Sequence, residues 1–144
     1  MDIRLSVPAE RERLDDLTAA IAAVMERHDI AQPVIDDVVL IAEEVVCNTA
    51  DYGFDAGQER EIVVAIRAAE AALHLQFRDN GRPFDPLSQP PPDLDAGIDE
   101  RPVGGLGVHL VRQLARRVDY VRDGAYNVLD VTLDLTPSET GDAT

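Results

Sequence analysis

A chain of 144 residues, 45% of them hydrophobic, has the size and composition of one folded domain with a single core. Its formal charge of −15, from 28 acidic and 13 basic side chains, opposes binding to nucleic acid, because the basic residues are spread along the chain and not clustered. Every basic side chain is an arginine, and without lysine the chain has no lysine-containing phosphate loop of the kind found in common nucleotide hydrolases.

At the N-terminus Ile3, Leu5 and Val7 alternate with polar neighbours up to Pro8, the pattern of an edge strand. Asp2 and Arg4 interrupt any apolar core of a secretion signal. No later run approaches the roughly 20 apolar residues that span a bilayer, so a cytoplasmic protein without a membrane partner is expected. From Glu10 to about His28, Leu14, Leu17, Ala20, Ile21, Val24 and Met25 recur at three and four, which predicts a first helix. Its stripe at Leu14 and Leu17 suits either burial on the domain's own sheet or a homodimer or partner contact. Pro33 fits the first turn of a second helix, where its missing donor costs nothing, and this helix is predicted to run to about Tyr52 and stop at Gly53.

Two stripes run along the second helix. Val34, Val38, Ile41, Val45 and Thr49 suit packing on a sheet, whereas Leu40, Glu44, Asn48 and Tyr52 follow one another at steps of four. Glu44 and Asn48, with Asp51 nearly a turn further on, are polar on the inner turns of an apolar helix. They are either a solvated face or one half of a site whose other half lies elsewhere. The lone cysteine, Cys47, excludes an intramolecular disulfide and a thiolate metal cluster.

Residues 54–60 read as a loop, and Ile62, Val64 and Ile66 as a strand turning at 69–71 into a second one. In that second strand Leu73, Leu75 and Phe77 alternate with His74, Gln76 and Arg78, and it ends at Asp79. The segment DNGRPFD, Asp79 to Asp85, follows at the strand end. Gly81 lets a flat ligand approach the main chain and Pro83 fixes the exit, although the same residues also make an ordinary solvated turn. Residues 86–103, rich in proline and acidic residues and including Pro90-Pro91-Pro92, suit a lid or a disordered segment. Next, Gly104-Gly105-Leu106-Gly107 opens a helix carrying Val108, Leu110, Val111, Leu114 and Val118 at helical spacing. Glycines there expose main-chain donors at the positive end of the helix dipole, an anion site that could replace the missing lysine. The alternative is a flexible linker before an ordinary helix, and His109 in that helix suits either contact with a phosphate or, more readily, a half-exposed structural place. A final hairpin pairs a strand around Asp119 to Arg122 with one carrying Leu129, Val131, Leu133 and Leu135, across a turn at Asp123-Gly124.

This order folds most economically as an α+β two-layer sandwich, a mixed and mostly antiparallel sheet with helices on one face, over residues 1–136, followed by a polar tail, 137–144. EEVVCNTADYGF, DNGRPFDPL and GGLGVHLVRQL resemble, in order and spacing, the three nucleotide-binding boxes of the anti-sigma-factor serine kinase family, within the Bergerat-type (GHKL) ATPases. The resemblance covers nearly the whole chain.

It implies ATP and Mg²⁺ as cofactors. Asp79 would accept a hydrogen bond from the adenine amino group with Gly81 beneath the base, and Asn48 would hold Mg²⁺ against the phosphates. Glu44 would take the proton from an attacking hydroxyl, and Gly105, Leu106 and Gly107 would contact phosphate under the lid. A carboxylate about 6 Å along a helix from the metal ligand is well placed for that task, whereas Glu43 points about 100° away. The chain departs from the pattern at Tyr52, where several kinases of the family carry histidine. The implied function is a partner-switching serine/threonine kinase that phosphorylates a small antagonist protein and sequesters a sigma factor. A non-catalytic ATP-binding module acting by binding alone is the alternative, and it would not need Glu44. An autonomous histidine kinase is disfavoured, because 144 residues leave no room for a separate phosphoacceptor helix.

Overall fold

The structure, a computed structural model, describes residues 1–52, 59–85, 87 and 105–135, without the side chains of 51–52 and 105–109. The stop at Gly53, the loop 54–58, residue 86, the lid 88–103 with its three prolines, Gly104 and the tail 137–144 lie outside the described residues. So do the side chains of Asp51, Tyr52, Leu106 and His109.

The elements run β1 (Asp2–Val7), a 3-10 turn (Arg11–Arg13), α1 (Leu14–Arg27), α2 (Gln32–Tyr52), β2 (Ile62–Ala69), β3 (Ala72–Asp79), α3 (Gly105–Leu114), β4 (Arg117–Asp123) and β5 (Tyr126–Asp134). Their order in the sheet is β1-β2-β3-β5-β4. The sheet expected to be mostly antiparallel is antiparallel at each of its four pairings among the described residues. Helix α3, expected to include Val118, ends at Leu114. Val118 instead enters β4 opposite Val131, because its alternation with Tyr120 matches the pleat.

Alternation decides which face of the sheet is covered. Leu5, Val64, Phe77, Leu129 and Tyr120 form one row across all five strands, and Ile3, Ile66, Leu75, Val131 and Val118 form the next. Ile66, Leu75, Val64, Phe77 and Val131 in these rows are buried in a core shared with the helices. The opposite face carries polar partners such as Gln76 with Asp130 and Arg78 with Asp123, which water can solvate.

Helix α1 buries Leu17, Ile21 and Met25, so its apolar stripe is spent on the domain's own core, with Leu14 half-buried beside it. At its end Asp29 takes a left-handed φ of 59° and the amide of Ile30 donates to the carbonyl of Met25, which turns the chain back into α2. Helix α2 buries Val34, Ile35, Val38, Ile41, Ala42, Val46 and Ala50 and packs against α1 and α3. Truncating a side chain as enclosed as Ile41 to alanine costs about 2–5 kcal/mol, so α2 is held in place by its packing. No helix among the described residues is long and apolar enough to cross a membrane.

Candidate functional site

One end of the covered face changes character. The row that begins with Val7 and Ile62, both apolar, continues through Asp79 on β3, Asn127 on β5 and Arg122 on β4. Asp79 and Asn127 are 8% and 6% exposed, and they are the polar residues among the described ones that are buried to this degree. Burying such groups is costly unless their hydrogen bonds are made.

Those bonds are made. The amides of Gly81 and of the Asn127 side chain both donate to Oδ1 of Asp79, at 2.9 and 3.0 Å. Asn127 Nδ2 also donates to the carbonyl of Arg82. Its Oδ1 accepts from the Tyr120 hydroxyl at 2.6 Å, from the amide of Phe84 and from Arg122 Nη1. Arg122 in turn donates to the carbonyl of Gly81 at 2.8 Å. The turn after β3 is therefore fastened to β4 and β5 through one asparagine, and Oδ2 of Asp79 is left without a partner among the described residues. Burial holds the Asp79 carboxyl above the usual aspartate range, and Asn127, the Gly81 amide and Arg122 pull it part of the way back.

A cleft of about 600 Å³, counting its open mouth, lies between this row and α2. Phe77, Phe84, Leu87, Val118, Tyr120 and Leu129 make its walls, Val111 of α3 closes one side, and Val45, Asn48 and Thr49 face it from α2. Asn48 and Asp79, 31 positions apart in the sequence, thus line the same space from opposite layers.

The other expected site residues are placed less centrally. Glu44 is half-buried one turn before Asn48, and it does not line the cleft. Neither side chain makes a hydrogen bond or ion pair with another described residue. Gly81 is buried at the Asp79 turn. Gly105, Leu106 and Gly107 are already helical, so the glycine run forms the first turn of α3 and not a loop ahead of it. That turn carries the unpaired main-chain donors of a helix start. Arg112 in the same helix donates to the carbonyl of Leu87 and ties α3 to the chain leaving DNGRPFD.

The sequence reading passed over Asn127, Tyr120 and Arg122. A signal for the first existed. The inward positions of β5 run Asn127, Leu129, Val131 and Leu133, so a buried polar side chain heads an otherwise apolar series. The partners of Asn127, however, come from a neighbouring strand and a turn more than forty residues away, which no local pattern pairs.

The profile of the family described as Histidine kinase-like ATPase domain matches residues 7–133. The serine/threonine-protein kinase BtrW of Bordetella bronchiseptica is 28% identical over 100 residues, 69% of this chain and 70% of that protein. The serine-protein kinase RsbW of Bacillus cereus is 26% identical over 133 residues, covering 88% of this chain and 81% of its own. Among solved structures, the RsbU and RsbW domains of Rv1364c from Mycobacterium tuberculosis superpose with a TM-score of 0.68 at 14% identity, over 93% of this chain. This chain spans 32% of that one. The histidine kinase domain of the blue-light activated kinase EL346 from Erythrobacter litoralis gives a TM-score of 0.56 at 16% identity, over 93% of this chain and 64% of its own. At these identities the two structures share the fold.

Proposed function

The chain belongs to the histidine kinase-like ATPase domain family, and from that premise we propose that it is an ATP-dependent protein serine/threonine kinase of the anti-sigma-factor type. In this reading residues 1–136 are the ATP-binding domain and 137–144 a polar tail. The protein transfers the γ-phosphate of ATP to a small antagonist protein and, in its other state, sequesters a sigma factor. The observation that carries the proposal is the meeting of Asn48 and Asp79 in one cleft.

The residues present fit the ligand. An adenine amino group is a donor, and Oδ2 of Asp79 is an acceptor without a described partner in an otherwise apolar slot between Phe77, Phe84 and Leu129. Mg²⁺ takes hard oxygen ligands and draws most of them from phosphate and water, so the single amide oxygen of Asn48 suffices. No cluster of three acidic, histidine or cysteine side chains among the described residues offers an all-protein cage. The metal, when bound, neutralises charge on the phosphates. The first turn of α3 presents its amides to the same phosphates, in place of a lysine.

Glu44 lies one helical turn from Asn48, within reach of a hydroxyl held against the γ-phosphate. It accepts the hydroxyl proton while the oxygen bonds to phosphorus and the bond to the β,γ-bridging oxygen breaks. A module that acts by binding alone needs Asn48 and Asp79 but no base. The presence of Glu44, bonded to no other described side chain, favours the kinase. The decisive experiment incubates the purified protein with γ-labelled ATP, Mg²⁺ and the product of each neighbouring gene. The expected result is label on a serine or threonine of one of them. Absence of any thermal shift with ATP would end the nucleotide reading itself.

A further inference from the structure

The cleft contains one residue whose donors and acceptor are spent in a single arrangement. Both donors of the Asn127 amide are used, on Asp79 Oδ1 at 3.0 Å and on the Arg82 carbonyl at 2.8 Å, while its oxygen accepts from Tyr120, Phe84 and Arg122. Turning the amide over would set its oxygen against two acceptors and its NH₂ against the Phe84 amide and the Arg122 guanidinium. The side chain is 6% exposed, so water cannot repair such a flip. Asn127 is therefore a fixed donor toward Asp79.

That has a consequence for the carboxylate. With Oδ1 accepting from both Asn127 and Gly81, the orientation of the group is set and only Oδ2 remains for a ligand in the cleft. We propose that Asn127 is the positioning residue for base specificity: by occupying Oδ1 it keeps Oδ2 of Asp79 an ionised acceptor, which selects 6-aminopurine over 6-oxopurine nucleotides. A neutral carboxyl could donate from Oδ2 to a 6-oxo group and would discriminate poorly. Donors on Oδ1 favour the ionised form and so oppose that state. Arg122 supports the same arrangement from β4, through the Gly81 carbonyl and the Asn127 oxygen. Tyr120 completes it.

The inference rests on the ATP-binding reading, and the test separates the two. Affinities for ATP and GTP are measured by calorimetry at pH 8 for the full chain, for Asn127→Ala, and for Asn127→Asp. The last variant keeps the shape and the acceptor toward Tyr120, Phe84 and Arg122, and it replaces the NH₂ that donates to Asp79 and to the Arg82 carbonyl by a carboxylate oxygen. Each variant is also made in an Asp79→Asn background. The ATP:GTP affinity ratio should fall about tenfold or more in both single variants, the size of one charge-assisted hydrogen bond, and change less than about twofold in the Asp79→Asn background. A ratio that stays put in folded Asn127→Asp overturns the inference, as does an equal fall in both backgrounds, which marks Asn127 as structural support only. If the unaltered chain binds ATP and GTP alike, the inference alone is overturned, whereas binding of neither ends the underlying nucleotide reading.

Discussion

At the sheet end of the cleft Asp79, Asn127, Tyr120 and Arg122 are tied to one another and to the turn backbone, whereas on α2 Glu44 and Asn48 bond to no other described side chain. In the proposed function the first group can be prearranged, because it would read a rigid, flat part of the ligand whose geometry does not have to change during a reaction. The second, in the same proposal, would accept groups that arrive with the substrates, a metal and a hydroxyl, and partners within the chain would compete with them. Preorganisation has a cost. Asp79 is an ionisable group buried in the row, held directly by Gly81 and Asn127 and, through Asn127, by Arg82, Phe84, Tyr120 and Arg122. The α2 pair is half-buried and exacts little from folding.

The contrast breaks most sharply on rate. Glu44→Gln should lower phosphate transfer to the partner protein by about 10²–10⁴-fold while Mg-ATP affinity stays within a few-fold, as expected for loss of a general base. An unchanged transfer rate excludes Glu44 from that role and makes the α2 stripe a solvated face. Next in size, Asp79→Asn should weaken ATP binding by about 10–100-fold, the range for a hydrogen bond to a charged group, with GTP gaining relative to ATP. The fold should survive, because an amide oxygen can still accept from Gly81 and Asn127.

The third expectation concerns stability. In the unfolded chain Asp79 titrates at about 3.9, whereas in the folded protein burial raises it. The native state therefore holds this proton more tightly, and the carboxyl costs nothing at pH values below the unfolded one. The cost appears as pH rises from there through the raised folded value, and is constant above it. Asp79→Asn removes the cost, so its Tm relative to the unaltered protein should be more favourable at pH 7 than at pH 3.5. A difference in Tm independent of pH would show that the bonds to Asn127 and Gly81 fully offset desolvation. Smallest of all, Asp123→Asn, which cuts the exposed pair with Arg78 at 3.2 Å on the outer face, should change stability by less than about 1 kcal/mol in chemical denaturation. A larger loss would mean that the Arg78 guanidinium, 4.2 Å from the Tyr126 ring centroid, is held there by Asp123.

Sequence alone was enough for the layers, because period two in 62–66, 73–77 and 129–133 and the helical spacing in α1 and α2 are local and each is reinforced by burial. It also picked out Asp79 and Asn48, whose types stand out against their neighbours, and both line the cleft. It misassigned Val118, since a spacing of four from Leu114 fits a helix as well as a strand's first inward position does, and only pairing with Val131 decides between them. It could not see that Asn127 lies opposite Asp79. That pairing is fixed by the register of β5 against β3, a consequence of burying Leu129, Val131 and Leu133 beneath the helices, and it takes the whole sheet to set it. Residue type and period thus named two residues that meet in the cleft. Tertiary structure chose the oxygen of Asp79 that is left without a partner among the described residues, because hydrogen bonds between distant strands are made only after the core has aligned them.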